Sequence, residues 1–216
     1  IAYLLGGDAD EFRETLEAIR ENYPPNAFSS LMNFLGTHDT PRILTVLGAS
    51  HVPDSKEDRA SYRLSPEERQ MGLARLRPAA LVLFTFPGAP TVYYGDEAGM
   101  EGWEDPFNRA GYPWGREDTE LKAWLARLAR LRQDHPALQS GQLHWCWTAG
   151  PILAFARELN GQLLTTVINA ADTPQSLTLP WSGAAPRDLL TGAVLSPADN
   201  VLPLTLLPHQ GLLLES

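Results

Sequence analysis

In Phe34-Leu35-Gly36-Thr37-His38-Asp39-Thr40-Pro41-Arg42 an apolar run ends at a glycine and hands a histidine and a carboxylate to a turn. Phe28, Leu31, Met32, Phe34 and Leu35 supply the run, which at this length suits a buried strand or a short apolar segment. Gly36 punctuates its end and Pro41 pushes Thr40 towards extended geometry, so His38 and Asp39 are expected to project from a tight loop. A structural alternative stands beside this one. Asp39 or Thr40 caps a helix over residues 41–47, with Pro41 in its first turn.

The chain around this stretch has 216 residues, 44% of them hydrophobic and 20% charged, a globular composition with length for one domain or two. Its formal net charge is -9, with acids and bases interspersed, which argues against nucleic acid or an anionic membrane as partner and suits a neutral one. The single cysteine, Cys146, excludes an internal disulfide and a cysteine-based zinc site; between Trp145 and Trp147 it reads as a small, partly buried apolar side chain. No apolar run approaches the roughly twenty residues of a membrane-spanning helix. The chain opens on Ile1, and Ile1-Ala2-Tyr3-Leu4-Leu5 before Gly6-Gly7 resembles the tail of a helix, so a piece of a longer protein is expected. Any targeting segment would lie upstream.

In chain order, Asp8 or Asp10 caps a helix over residues 9–23, with Phe12, Leu16 and Ile19 at helical spacing and Pro24-Pro25 as its stop. Residues 26–35 are read as the strand that feeds the central turn. Residues 49–64 are charged and aperiodic and read as a surface excursion. Ser65-Pro66-Glu67-Glu68 is a capping box with proline at the first helical position, opening a helix that carries Met71, Leu73, Leu76 and Leu81 inward as far as Pro87-Gly88. A second strand is read over residues 91–94, then a glycine-rich, charged loop over 95–115. A helix over 119–133 follows, burying Leu121, Trp124, Leu125, Leu128 and Leu131. Strand, helix, strand, helix implies a parallel sheet. Beyond Leu143 short alternating segments (152–155, 163–168, 176–179, 188–190 and 211–214) are separated by Asn160-Gly161, Asp172-Thr173-Pro174 and Ser196-Pro197-Ala198-Asp199. That is the pattern of an antiparallel β domain.

Three motifs stand in order: Thr37-His38-Asp39-Thr40-Pro41-Arg42, the run Phe86-Pro87-Gly88-Ala89-Pro90-Thr91-Val92-Tyr93-Tyr94-Gly95-Asp96-Glu97-Ala98-Gly99-Met100, and Asp105-Pro106-Phe107-Asn108-Arg109. Together they resemble the α-amylase family of glycoside hydrolases. Asn22-Tyr23-Pro24-Pro25 and the His38 motif are most similar to its neopullulanase, cyclomaltodextrinase and maltogenic amylase group. Residues 207–214 look like the closing strand of that family's C-terminal β-sandwich.

The resemblance implies an α/β plus all-β chain. Residues 1–137 would form the C-terminal portion of a (β/α)8 barrel, strands seven and eight with flanking helices, and residues 138–216 an antiparallel β-sandwich. Loops after barrel strands form the active-site face. By the same resemblance Asp39 is the third, transition-state-stabilising carboxylate of a retaining mechanism, and His38, Asp105 and Arg109 bind sugar hydroxyls. The nucleophile and the general acid belong to strands four and five, so the chain alone is expected to be inactive and, with a barrel edge uncovered, prone to self-association. An α-glucan oligosaccharide is the implied partner. No cofactor and no metal are expected, a cytoplasmic location is implied, and the full-length form leaves room for a homodimer.

Each residue has a structural alternative. Arg109 can serve only as an ion pair with Asp105 or Glu104, and Glu97 reads as structural. Tyr93, Tyr94, Trp103 and Trp114 can stack on sugar rings or belong to a core. His51, His135, His144 and His209 show no metal spacing. Two other functions compete with catalysis: a sugar-binding module using Trp145, Trp147 and Trp181, and an inactive homologue built as an interaction protein.

Overall fold

The computed structural model describes residues 1–216. A 3-10 turn over Ala2–Leu5 ends at Gly6, and helix α1 (Ala9–Asn22) starts on Asp8, whose carboxylate accepts the Asp10 amide at 2.7 Å. The run expected as one strand over 26–35 is divided. Pro25 opens a single helical turn, α2 (Pro25–Phe28), because its fixed φ suits a first helical position, and only β1 (Met32–Phe34) is extended.

After the central loop come α3 (Ile43–Gly48), α4 (Lys56–Ser61) and α5 (Pro66–Thr85). Helix α4 lies inside the segment read as a plain excursion. It starts where Ser55 accepts the Asp58 amide at 3.0 Å. The capping box of α5 is present on both sides: Ser65 Oγ accepts the Glu68 amide at 3.2 Å, and the Glu68 carboxylate accepts the Ser65 amide at 2.9 Å. Ser50 and Tyr62 also donate to that carboxylate, and these bonds, led by the Ser50 hydroxyl, hold it down to about 2. Helices α3 and α5 touch backbone to backbone, since a Cβ on Gly48 would lie 2.5 Å from the Glu68 carbonyl oxygen.

The parallel partner of β1 is β2 (Ala89–Thr91), with Met32 beside Ala89 and Phe34 beside Thr91. The strand expected over 91–94 therefore lies earlier. With only three residues on β1 there is no ladder for Val92 to Tyr94, and both tyrosines leave the sheet. Helices α6 (Thr119–Asp134), capped by Asp118, and α7 (Pro136–Ser140) complete this part. Ile43, Leu44, Leu47, Leu76, Leu81 and Leu128 are among the side chains of its core.

The remaining strands are β3 (Gln142–Ala149), β4 (Ile152–Leu159), β5 (Gln162–Asn169), β6 (Gln175–Pro180), β7 (Arg187–Asp188), β8 (Val201–Leu206) and β9 (Gly211–Glu215). An antiparallel sheet in the order β3-β4-β5-β9-β7 faces the β6–β8 pair across a core that includes Ile152, Val167, Leu179, Leu202 and Leu214. Asn160 and Gly161, at φ 51° and 84°, make the two-residue turn between β4 and β5. Two strands were not anticipated. β3 carries a register shift between Trp145 and Trp147 that breaks its alternation, and β8 contains Pro203, which a two-stranded edge tolerates. No helix is long and apolar enough to cross a membrane.

The two parts meet over Arg157 on β4, which is 1% exposed. Its guanidinium donates to Thr85 O at 2.8 Å, Leu138 O at 3.0 Å and Gly141 O at 2.9 Å, the carbonyls that end α5 and α7. Helix C-termini favour a cation. Burial, with Arg132 nearby, still pushes this guanidinium down to about 10. Arg157→Met is expected to cost about 3 kcal/mol in urea unfolding, because it orphans several buried carbonyls, and Arg157→Lys to recover only part of that. A loss below about 1 kcal/mol for the methionine variant would remove the strut from this account.

Candidate functional site

Beyond β1, residues 36–42 form a loop whose internal bonds come from two threonines. Thr40 Oγ1 accepts the Thr37 amide at 3.0 Å, and Thr37 Oγ1 accepts the Asp39 amide at 3.2 Å. Asp39 caps no helix: α3 starts on Arg42 with no side-chain cap. Its carboxylate is left for other work. The His38 and Asp39 side chains are 64% and 72% exposed, and His38 Nε2 stands 3.2 Å from Asp39 Oδ2.

The loop after β2 brings the other two expected residues to the same place. Arg109, on a 3-10 turn (Phe107–Arg109), has Nε 3.1 Å from Asp105 Oδ1 and Nη2 3.7 Å from Asp39 Oδ1, and it donates to His38 O at 3.2 Å. His38, Asp39, Asp105 and Arg109 thus form one exposed cluster. Arg109 makes its ion pair with Asp105, and Glu104 pairs with Arg59 instead. Glu97 accepts the Gly95 amide at 2.8 Å, a local structural bond.

The aromatic candidates separate by burial. Trp103 is buried against Tyr62 and is core, whereas Tyr94 is exposed and donates to Ala110 O. Trp114 is 79% exposed and lies 4.5 Å from Tyr112, centroid to centroid. Of the tryptophans considered for a binding module, Trp181 is buried. Trp145 packs on Phe86 and Phe155 with its Nε1 bonded to Glu17. Only Trp147 among these three is exposed. An apolar cavity of about 310 Å³, lined by Tyr3, Leu4, Phe12, Met32, Phe34 and Phe86 among others, has too few polar groups to hold sugar hydroxyls.

Beneath the cluster lies a residue outside the expected site. Arg42 is 1% exposed; its Nε donates to Asn108 O at 2.8 Å, and its Nη1 reaches Tyr94 O and, at 3.0 Å, Asp96 Oδ1. The guanidinium lies 4.3 Å from the Tyr93 ring centroid and 4.7 Å from that of Tyr94. Gly36 lets the two loops close, since a Cβ there would meet Asp96 Oδ2 at 2.6 Å. One signal for Arg42 was available: it leads directly into the apolar Ile43-Leu44-Thr45-Val46-Leu47, and a charge heading a buried helix needs buried partners. Asn108, fully buried beside it, carried no such signal.

Burial pushes the Asp96 carboxyl up to about 6, against the pull of Arg42. A folded-state value above the ordinary 3.8 means the folded chain binds this proton more tightly than the unfolded one. The group's contribution is fully present below about pH 4 and is lost as pH rises through about 6. Relative to Asp96→Asn, the parent protein is therefore expected to gain about 2–3 kcal/mol between pH 7 and pH 4 in urea unfolding. A pH-independent difference would refute this assignment.

Comparison with known proteins agrees in both parts of the chain. A family model described as "Alpha amylase, catalytic domain" matches residues 4–137, and one described as "Maltogenic Amylase, C-terminal domain" matches residues 148–213. The chain is 34% identical over 208 residues to an amylopullulanase of Thermoanaerobacter thermohydrosulfuricus, covering 89% of this chain and 14% of that one. It is 32% identical over 214 residues to neopullulanase 2 of Thermoactinomyces vulgaris, covering 95% and 33%. It thus spans a third or less of the length of these relatives. Among solved structures, a Thermus thermophilus protein superposes with a TM-score of 0.78 at 33% identity, covering 96% of this chain and 40% of that one. A cyclomaltodextrinase superposes with a TM-score of 0.80 at 26% identity, covering 97% and 33%.

Proposed function

The chain belongs to the α-amylase family of glycoside hydrolases, and from that membership we propose that residues 1–216 carry the transition-state-stabilising side of a retaining active site. The substrate class is the α-glucosidic bonds of starch-derived oligosaccharides, cyclodextrins or pullulan. In this reading β1 and β2 are strands seven and eight of the barrel, the barrel portion runs to residue 137, and residues 138–216 are the sandwich. The nucleophile and the general acid come from barrel strands outside residues 1–216. Exposed Met32 and Phe34, with the apolar cavity beside them, are then surface for other barrel strands to cover.

The observation that carries the proposal is Asp39 itself, a carboxylate that caps nothing, stands exposed at the end of a parallel strand, and is framed by His38, Arg109 and Asp105. A glucosyl ring moving towards an oxocarbenium ion flattens and gains positive charge. A fixed carboxylate accepting its hydroxyl hydrogen bonds then stabilises the transition state more than the ground state. His38 adds a hydrogen-bonding imidazole beside it. Arg109 holds Asp105 and approaches Asp39, so a sugar hydroxyl entering here finds donors and acceptors already oriented. The burial of Trp181 and the packing of Trp145 weigh against a pure binding module.

Two measurements test the proposal. Residues 1–216 alone are expected to release nothing above buffer from maltooligosaccharides, cyclodextrin or pullulan, because one carboxylate without nucleophile and acid cannot run a double displacement. In the full-length protein, Asp39→Asn is expected to lower kcat about a hundredfold or more, roughly 3 kcal/mol in barrier, with little change in Tm. His38→Ala should be milder, and Arg109→Ala should chiefly raise KM. Near wild-type turnover by Asp39→Asn, or loss of activity only through unfolding, would overturn the assignment.

A further inference from the structure

We propose that Asn108 is a positioning residue for the Asp39 carboxylate. Its fully buried side-chain amide clamps the two carbonyls that bracket Asp39 and so fixes where that carboxylate meets the sugar ring. The inference rests on the reading of Asp39 as the transition-state stabiliser. Asn108 Nδ2 donates to His38 O at 2.8 Å and to Thr40 O at 2.7 Å, the carbonyls of the residues immediately before and after Asp39. Both amide hydrogens are thereby committed. A carbonyl only accepts, so the opposite amide orientation would set Oδ1 against two oxygens, and the chemistry alone selects the orientation seen.

Arg109 Nε reaches His38 O at 3.2 Å and Arg42 anchors the far end of the loop, but Asn108 alone bonds both carbonyls that flank the Asp39 residue. The loop's own side-chain bonds run from 3.0 to 3.4 Å between Thr37 and Thr40, and its functional side chains stand in solvent. Asn108, in contrast, is anchored from below, because its backbone carbonyl accepts Arg42 Nε at 2.8 Å. The turn Phe107–Arg109 places neighbouring residues on opposite sides. Asn108 points inward to hold the loop's backbone, and Arg109 points outward to the carboxylate that the loop carries. A displacement of about 1 Å at a reacting group commonly costs about a hundredfold in rate, so a clamp on the flanking carbonyls bears on kcat more than on binding.

An ordinary buried amide would also stabilise the loop, so the test must read coupling to Asp39 rather than activity alone. In the full-length protein, steady-state kinetics on one maltooligosaccharide are measured for Asn108→Ala, Asp39→Asn and the double variant. Asn108→Ala is expected to lower kcat about ten- to hundredfold with KM within about threefold, and to lower the residual kcat of Asp39→Asn by less than about threefold. If Asn108→Ala does not fold, the near-isosteric Asn108→Asp takes its place in the cycle. An ionised carboxylate there faces two carbonyl oxygens, so its deficit against the parent should shrink as pH is lowered and the protonated acid regains one donor. A loss from the Asn108 variant that multiplies fully with a large Asp39→Asn loss overturns the positioning role while leaving the reading of Asp39 intact, as does near wild-type kcat from that variant. Near wild-type turnover by Asp39→Asn alone overturns that reading and this proposal with it.

Discussion

A guanidinium withdrawn from water has to be surrounded, and the site of this protein is shaped by that need at Arg42. Nothing on its own loop can satisfy it. Nε and Nη1 find Tyr94 O, Asp96 and Asn108 O, all from the irregular segment after β2, and the two tyrosine rings lie against the guanidinium. Breaking a buried charge pair from one side commonly costs about 3–5 kcal/mol, far more than an exposed pair contributes. That difference accounts for a long loop with almost no regular structure holding one shape.

The same device joins the two parts of the chain. Arg157 is buried against the ends of α5 and α7, and Arg132 donates to Phe84 O, Phe86 O and Gly88 O in the turn that leads into β2. Both are cations satisfied by carbonyls rather than carboxylates. Burial lowers the proton affinity of each, yet an arginine stays charged at any physiological pH. Arginine is suited to this work because its planar fork carries five donors and reaches several carbonyls at once. Helix ends, which would otherwise carry unsatisfied carbonyls into the interior, become the contact between the parts.

Under the proposed function, exposed hydrogen-bonding groups on a well-connected base suit a hydroxyl-rich ligand. His38 and Asp39 keep their hydrogen-bonding atoms in solvent, while the backbone on either side of Asp39 is held by the Asn108 amide, with Arg109 also on His38 O. Membership in the α-amylase family is read from residues 4–137 as a whole. The geometry adds that the loop after β1 and the loop after β2 act as one unit. They share Arg42, Asn108 and Arg109, and none of these contacts is local in sequence.

Local rules were legible in the chain as written. Asp8 and Ser65 sit where a helix needs its first amides satisfied, Asn160-Gly161 makes a turn with positive φ at both residues, and the His38, Gly95 and Asp105 motifs carried the family. Such signals act over a few residues, so one sequence suffices to read them. Strand lengths, the small helices α2, α4 and α7, and strands β3 and β8 were not legible, because they depend on a partner strand or a packed neighbour elsewhere in the chain. The roles of Arg42 and Asn108 lay further still from view. The apolar run after Arg42 hints at its burial but not at its partners, and an asparagine in a polar loop looks like a surface residue until folding removes the water around it. Burial, a property of the whole fold, turned those ordinary polar residues into the support on which Asp39 stands.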